Sequence, residues 1–507
     1  MDKNFDVVII GLGPVGSLLA ALLNEEGLKV LGIEKDKEIF QLPRAITIND
    51  ESLRIMQSAG LEHVYSENST PVEGAEFINS EHQRIGEALK IKGLITQNAW
   101  NPISFFHQPT TDQNIRNILE DSEIEILLEE NLIDIQQKES VVEIETENLI
   151  TNKKSLFTSN FLVGADGSSS TVRNLLAIEQ EDLDYNREWV VVDVKLKEEI
   201  AMSQMAAQIC DPKRLATYIP AHLPYKRWEF LILDDEDKKE IEKEETIQRL
   251  IEPWLKPDQY SILRSAIYKF HAVLAKDFKV QNCFLIGDAA HQTPPFMGEG
   301  MNTGFRDASN LAWKLVLALK EKDFVTALLN SYQTERRPHA QFIVENSVSI
   351  GKLMAAYAAA ENPDNVPEEL VNKGYASYII PNLHEGLFFG GIADPSMGSG
   401  SLFPQFIEIK KNKIIKRKDN LLGSGFVIIS KKEIELSREE EDFYNKLNTK
   451  IITIEEDQIL QNHWLSSYMQ MGETFIVRPD KYIFGCSSDR VSFQELTIDL
   501  KNRLRAR

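Results

Sequence analysis

The residues best placed for chemistry lie in two glycine-rich stretches. In DVVIIGLGPVGSLLAALLNEEGLKVLGIEK, Gly11, Gly13 and Gly16 are spaced GxGxxG around Pro14 and Val15, and Glu34 follows Gly16 by 18 residues, with Lys35 beside it. Gly11 allows a tight turn, Gly13 lets a pyrophosphate approach the backbone, and Gly16 lets a helix sit close to a sheet. The helix amino terminus offers unpaired N–H groups to an anion, and an acidic side chain at Glu34 can take both hydroxyls of an adenosine ribose. The second stretch, FLIGDAAHQTPPFMGEGMNTGFRDASNLAWKL, runs from Phe284 to Leu315. It places Gly287 and Asp288 at a strand end and then sets the apolar Pro294, Pro295, Phe296 and Met297 before Gly298, Gly300, Met301 and Asn302.

Positioning these residues requires alternating strands and helices. An apolar run at Val7–Ile10, an amphipathic helix and a second apolar run ending at Glu34 make a βαβ unit, and Phe284–Ile286 reads as another buried strand, followed by a helix over Thr303–Leu319. FLVGADGSSSTVR brings a strand to Gly164, Asp166 and Gly167 ahead of a serine-rich helix start and Arg173; taken alone, it also reads as a capped strand-to-helix turn. Arg44 in LPRAITINDESLRIMQSAGL and His107 with Gln108 in FFHQPTTDQNIRNIL precede further helices, and each alone could be ordinary surface chemistry. One stretch carries the full dinucleotide architecture, so one dinucleotide is held and a nicotinamide would visit without a Rossmann domain of its own. The alternating runs EWVVVDVKLK, RLATYIPA and RWEFLILD suggest an antiparallel sheet over 181–275, and DDEDKKEIEKEE reads as a solvated loop and helix start. From about residue 396, FVIISK, TKIITIEED and TFIVRPDKYIFGCSS read as short strands separated by helical pieces.

Composition bounds the answer. The 507 residues, 42% hydrophobic and 26% charged, suffice for two or three domains, and a net charge of −22 argues against a nucleic-acid partner. The amino terminus has no secretory pattern, and no apolar run approaches the roughly 20 residues needed to span a bilayer. Cys210, Cys283 and Cys486 are too few and too scattered for a disulfide framework or thiolate metal site, and no C-x-x-C is present. The expectation is a cytoplasmic protein without membrane, nucleic acid or metal, with a homodimer left open.

Together GLGPVG, GADGSSSTVR and IGDAAHQTPPFMGEGMN resemble the class A flavoprotein aromatic hydroxylases, the family that includes para-hydroxybenzoate hydroxylase. PRAITINDESLRIMQSAGL, EWVVVDV, KRWEFLI, NLAWKL and YQTERRPHA are similar to its 3-(3-hydroxyphenyl)propionate hydroxylase branch, over roughly residues 5–345 and more faintly to the end. The resemblance implies an α/β fold. It consists of a discontinuous Rossmann-like FAD-binding domain (1–75, 100–180, 276–395), an antiparallel-sheet substrate domain (76–99, 181–275) and a thioredoxin-like carboxyl-terminal domain (396–507), the last on the strength of RPDKYIFG.

It further implies that Asp288 hydrogen-bonds the ribityl chain, that Pro294–Met297 wall the isoalloxazine, and that the backbone at Gly298–Asn302 meets its edge. Arg44, Gln108, Asp166 and Gly287 join the cofactor set. NADH or NADPH would reduce FAD, with NADH favoured by resemblance, and O2 would form a C4a-hydroperoxide that hydroxylates a phenol, such as an arylpropionate. His107, Tyr218 and His222 are candidates for handling the phenolic proton, and Arg187 or Arg214 for pairing with a substrate carboxylate; for each, a structural role is the competing reading. Other readings are a polyketide or antibiotic monooxygenase, a dehydrogenase, and an FAD-fold regulator of the kind that binds lipidated GTPases. A halogenase is disfavoured because W-x-W-x-I-P is absent.

Overall fold

The computed structural model describes residues 4–410, 413–455 and 462–506. Its first sheet orders the strands Lys279–Val280, Cys283–Leu285, Lys154–Gly164, Asn4–Ile10, Val30–Glu34 and Glu125–Leu128, with Glu130–Gln137 and Val142–Asn148 attached along Lys154–Gly164. The pairs from Cys283–Leu285 through Glu125–Leu128 are parallel, so their carboxyl ends share one edge. Val7, Val8 and Ile9 are buried because helices and an antiparallel extension cover both faces of this sheet, the usual condition of parallel strands. Ligands in such open α/β sheets bind beyond the carboxyl ends, where both glycine-rich stretches emerge.

The second sheet has eight strands: His291–Gln292, Tyr260–Ala275, Gln180–Leu196, Tyr225–Leu231, Arg214–Ile219, Met205–Asp211, Gly74–Ile78 and Arg84–Lys90. It departs from the expected purely antiparallel sheet at one pair, Met205–Asp211 against Gly74–Ile78, which is parallel because the latter strand enters from far earlier in the chain. Alternation separates its faces. Val190, Val192, Tyr218, Trp228 and Phe230 form an outer apolar face capped by Ile241, Ile247 and Ile251, while Trp189, Asp193, Arg227, Glu229 and Thr217 occupy the inner face by strand parity.

Two element boundaries shift. The strand before Asp288 is Cys283–Leu285 rather than Phe284–Ile286, and the following helix spans Gly300–Lys320, starting three residues before Thr303. Left-handed Gly298 (φ +66°) ends the turn Pro295–Met297 and lets the helix begin directly after Glu299. Toward the carboxyl end a four-stranded sheet runs Lys450–Thr453, Val427–Ser430, Thr474–Val477, Ile483–Cys486, its first pair parallel and the others antiparallel. The last two residues of TKIITIEED (456–457) lie outside the described residues. Among the described residues no helix is long and apolar enough to cross a membrane.

A buried ionic knot fastens this sheet to the rest. Glu335 on the helix Val325–Ala359 accepts from Arg478 (2.8 and 2.9 Å), from Lys314 (2.8 Å) on Gly300–Lys320, and from Asn310 (2.7 Å), while Arg478 also holds Asp480. Burial works to raise the Glu335 pKa, but Arg478 and Lys314 outweigh it and hold the carboxylate ionised. Breaking such a pair leaves a buried charge without compensation. Arg478→Met should therefore lower stability by about 3–5 kcal/mol in denaturant unfolding, and an unchanged midpoint would contradict this role.

Candidate active site

The amino-terminal glycines divide by what constrains them. Gly11 (φ +93°) faces the Ala165 carbonyl so closely that a Cβ would collide, and a Cβ on Gly16 would strike the Gly11 carbonyl. Packing within the protein therefore demands both. Gly13 differs: a Cβ there would meet nothing within 4 Å, and its φ of −68° suits any residue. A glycine that the protein itself does not require, at the amino end of Pro14–Glu25 where no side chain caps the helix, leaves a cradle with free N–H groups, as a diphosphate needs. Glu34 stands at the end of its strand and accepts from the N–H of Leu12 (2.8 Å) and of Asp36 (3.1 Å), so its carboxylate fixes the loop it borders. Lys35 is exposed next to it.

At the second stretch the anchor is Asp307, absent from the sequence-based set. It accepts from the Gly287 N–H (3.0 Å), His291 Nε2 (2.7 Å) and Arg336 Nε (2.8 Å) while fully buried. Burial pushes its pKa up, yet His291 and Arg336 outweigh that and hold it below the usual range. Gly287 (φ +60°) thereby turns the chain so that Asp288 opens to the cleft. Beyond the turn, a Cβ on Gly298 would collide with Thr47, whose hydroxyl donates to the Gly298 carbonyl (2.9 Å). Gly300 has open space at its Cα, and Met301 packs partly against the main core.

Several residues expected at the cofactor also brace the protein. The Asn302 side chain accepts from the Asn49 N–H (3.1 Å) and donates to the Gly298 carbonyl (2.8 Å), leaving its backbone for a ligand. Gln108 is buried, its Oε1 accepting from the N–H groups of Arg44 and Ala45 (both 2.7 Å), so it shapes the Arg44 loop from behind. The Arg44 guanidinium lies over the Phe40 ring, 4.5 Å from its centroid. Asp166 spends both carboxylate oxygens on the following helix, accepting from Ser170 Oγ (2.5 Å) and the Val172 N–H (3.0 Å). Asp112, a residue the sequence did not single out, accepts from Gln108 (3.1 Å), and burial raises its pKa to about 7.

The inner face of the second sheet closes over this region. Gln208 donates to the Phe296 carbonyl (3.4 Å), and Arg227 donates to the carbonyls of Pro43 and of Arg44 (3.0 Å for the latter), so the sheet is tied to both segments. Phe296 meets Tyr185 and Trp189 edge-on at 5.7 and 5.6 Å, Met297 packs in the same aromatic cluster, and the Pro294 carbonyl accepts from Ser347 (2.6 Å). Beside Phe296 lies a cavity of about 470 Å³, lined by Tyr185, Arg187, Trp189, Leu215, Leu231 and the helix at Gly351–Lys352. That size suits a small ligand.

Of the side chains expected to act on substrate, the structure brings His107 and His222 together and separates Tyr218 from them. The two histidines line a smaller pocket with Asp193 and Tyr225, away from the main cavity's lining. His107 stacks on Tyr225 (4.5 Å) and bonds Thr110 (2.8 Å), His222 bonds Thr70 (2.8 Å), and burial lowers both pKas toward neutral rings. Tyr218 instead points to the outer face, where its hydroxyl donates to the Ser203 carbonyl (3.0 Å) against Trp228. Arg214 forms a two-pronged pair with Glu236 and donates to the Leu231 carbonyl (2.7 Å), which neutralises it. Arg187 lines the cavity and has no ion pair among the described residues. The inner face also carries Asp193, Arg227, Arg264 and Glu229, a buried charged group in β-rich sequence that residue type alone did not separate from surface alternation.

The open cradle at Gly13 gives a direct test. Gly13→Val should fold with the far-UV spectrum and unfolding midpoint of wild type stripped of its cofactor, yet purify without the yellow colour of bound flavin. A yellow variant with full FAD content would remove Gly13 from the site.

The family model described as FAD binding domain matches residues 4–347. A 3-(3-hydroxy-phenyl)propionate/3-hydroxycinnamic acid hydroxylase 2 from Burkholderia vietnamiensis is 26% identical, covering 97% of this chain and 95% of its own. Hydroxylases of the same description, without the numeral, from Paraburkholderia xenovorans and Comamonas testosteroni are 34% and 33% identical, over 69% and 71% of this chain and 56% and 61% of theirs. The chain thus spans about three fifths of the latter two. In fold, the chain is similar throughout to the flavin-dependent monooxygenase PieE in complex with FAD and substrate (TM-score 0.81, 16% identity, 100% of both chains). The same holds for the anhydrotetracycline hydroxylase OxyS from Streptomyces rimosus (TM-score 0.76, 20% identity, 99% of both). With the glycine cradle, the turn at Asp288 and the covering sheet in that arrangement, the chain belongs to the FAD binding domain family, among the flavoprotein aromatic hydroxylases.

Proposed function

We propose that the protein is an FAD-dependent monooxygenase that consumes NADH or NADPH and O2 to hydroxylate a monocyclic phenol with a short acidic side chain, giving a catechol. The observation that carries this reading is the junction at Phe296. One turn of chain joins the segment after Asp288 to an aromatic cavity of about 470 Å³. The names of the hydroxylase relatives point to the same substrate class.

Bound FAD supplies the redox chemistry, taking two electrons from a nicotinamide and activating O2. The chain's own residues do the rest. The N–H groups after Gly13 would hold the diphosphate, Glu34 the adenosine ribose, and Asp288 the ribityl hydroxyls. Phe296, Trp189 and Tyr185 exclude water from the reacting ring. Arg187, which lines the cavity together with Lys352, is the expected arginine left to pair with a substrate carboxylate, since Arg214 already faces Glu236. The division into FAD-binding, substrate and carboxyl-terminal domains belongs to this reading, and the strand order of the carboxyl-terminal sheet supports a thioredoxin-like unit there.

Incubation with 3-(3-hydroxyphenyl)propionate, NADH and ¹⁸O2 should yield a product heavier by one labelled oxygen. NADH oxidation that gives only hydrogen peroxide would make that phenol an effector, and no response to any small phenol would move the assignment to larger polycyclic substrates. Asp288→Ala removes charge-assisted hydrogen bonds worth roughly 1.5–3 kcal/mol, so the Kd for FAD should rise by about one to two orders of magnitude. An unchanged Kd would place Asp288 outside the site.

A further inference from the structure

The inner face of the second sheet holds a carboxylate with no evident structural task. Glu229 is 3% exposed, and among the described residues its carboxylate accepts no hydrogen bond; the one guanidinium within 4 Å is Arg227 Nη1, at 3.8 Å. Its neighbours are better matched. Asp193 takes Arg227 (2.7 Å) and Arg264 (2.5 Å), and Arg264 also donates to the Tyr268 hydroxyl (2.9 Å). A buried carboxylate left this way costs free energy, and such groups concentrate at functional sites.

Register sets Glu229 one inner-facing row in from the cavity lining. Leu231, Trp189 and Leu215 lie abreast on adjacent strands and line it. The next inner-facing row, two residues or roughly 7 Å along the strands, is Glu229, Val191 and Thr217, followed across the sheet by Gln208, which reaches the Phe296 carbonyl. The row beyond contains Arg227, which grips the Pro43–Arg44 backbone. Glu229 thus lies between the two segments that would flank the flavin ring, next to the cavity's aromatic floor. The three residues suggested for this task by sequence do not share the position: Tyr218 faces outward, and the histidines line the smaller pocket.

We propose that Glu229 is the base that receives the phenolic proton of the substrate during hydroxylation. The substrate O–H bond breaks, its proton goes to a Glu229 carboxylate oxygen, and the electron pair stays on the phenolate oxygen, where it raises electron density at the ortho carbon. The charged and titratable groups around it are Asp193 and Tyr185 from one neighbouring strand, Arg227 on its own strand, and Arg264 and Tyr268 from Tyr260–Ala275. Burial, aided by Asp193, raises the Glu229 pKa to about 6 against the pull of Arg227 and Arg264. The carboxylate is therefore available above about pH 6 and is lost as the pH falls below it.

This role rests on the phenol hydroxylase reading, and the experiment separates the two. Product formed per NADH consumed is followed across pH for wild type and Glu229→Gln, with substrate Kd measured by flavin fluorescence. The wild-type ratio should fall through an inflection near pH 6. Glu229→Gln should lose that inflection and form product about 10²–10⁴-fold more slowly, the usual contribution of a general base, with the substrate Kd changed less than threefold. A polyfluorinated phenol already ionised at assay pH should abolish the inflection in wild type and restore coupling in the variant. The wild-type comparison stands even if the variant does not fold. A wild type that hydroxylates the phenol without the inflection, or a variant that keeps wild-type rate and profile, would overturn the role of Glu229 alone. A wild type that hydroxylates no phenol would overturn the role together with the reading beneath it.

Discussion

The arrangement depends first on one buried carboxylate. Asp307 lies inside the long helix Gly300–Lys320, yet it reaches back to the Gly287 N–H, to His291 and across to Arg336 on the next helix. Those bonds set the direction in which the chain leaves the central sheet, and so where Asp288 and the apolar turn after it can stand. Without a partner, an ionised carboxylate at this depth would be expensive. With a guanidinium, an imidazole and a backbone donor around it, the same depth makes the contacts strong and directional. Phe296 inherits its position from this turn, and the cavity inherits one wall from Phe296.

A division of labour follows. Side chains with obvious binding chemistry mostly brace the backbone: Gln108 holds Arg44 and Ala45, Asn302 ties Gly298 to Asn49, Asp166 caps a helix, and Glu34 holds Leu12. Backbone groups and glycine Cα atoms are what remain open to a ligand, most clearly at Gly13. This suits a large cofactor contacted along its length, because a fixed backbone loses little entropy when the cofactor arrives. The carboxyl-terminal sheet contributes to the same rigidity, since Arg478 and Asp480 close around Glu335 at the crossing of the two long helices.

Local backbone demands made the cofactor side legible in sequence. Gly16 is needed by its close approach to the Gly11 carbonyl a few residues back, and the pattern of apolar strand, glycine turn and helix shows that demand in sequence, although the contact that also requires Gly11 comes from distant Ala165. Long-range pairing was not legible. Nothing near Arg214 announces that Glu236, beyond an intervening strand, will neutralise it, and Asp307 meets a partner 29 residues away. Tyr218 is intermediate, since the alternation of Arg214–Ile219 puts it with Ala216 on one face, but which face looks toward the cofactor depends on how the whole sheet docks. Glu229 went unnoticed for the same reason, as one acidic residue in a strand that reads equally well with either side toward water.

The Gly13 cradle, the turn at Asp288 and the inner face of the second sheet border the space that the proposed cofactor and phenol would fill. A crystal structure of the holoprotein with bound 3-(3-hydroxyphenyl)propionate tests this arrangement most directly. The expected result is the FAD diphosphate at Gly13, the flavin ring between Arg44 and Phe296, and the phenol in the cavity with its hydroxyl toward Glu229 and its carboxylate toward Arg187. A phenol bound among His107, His222 and Tyr225, or a flavin ring outside the space between Arg44 and Phe296, would contradict it.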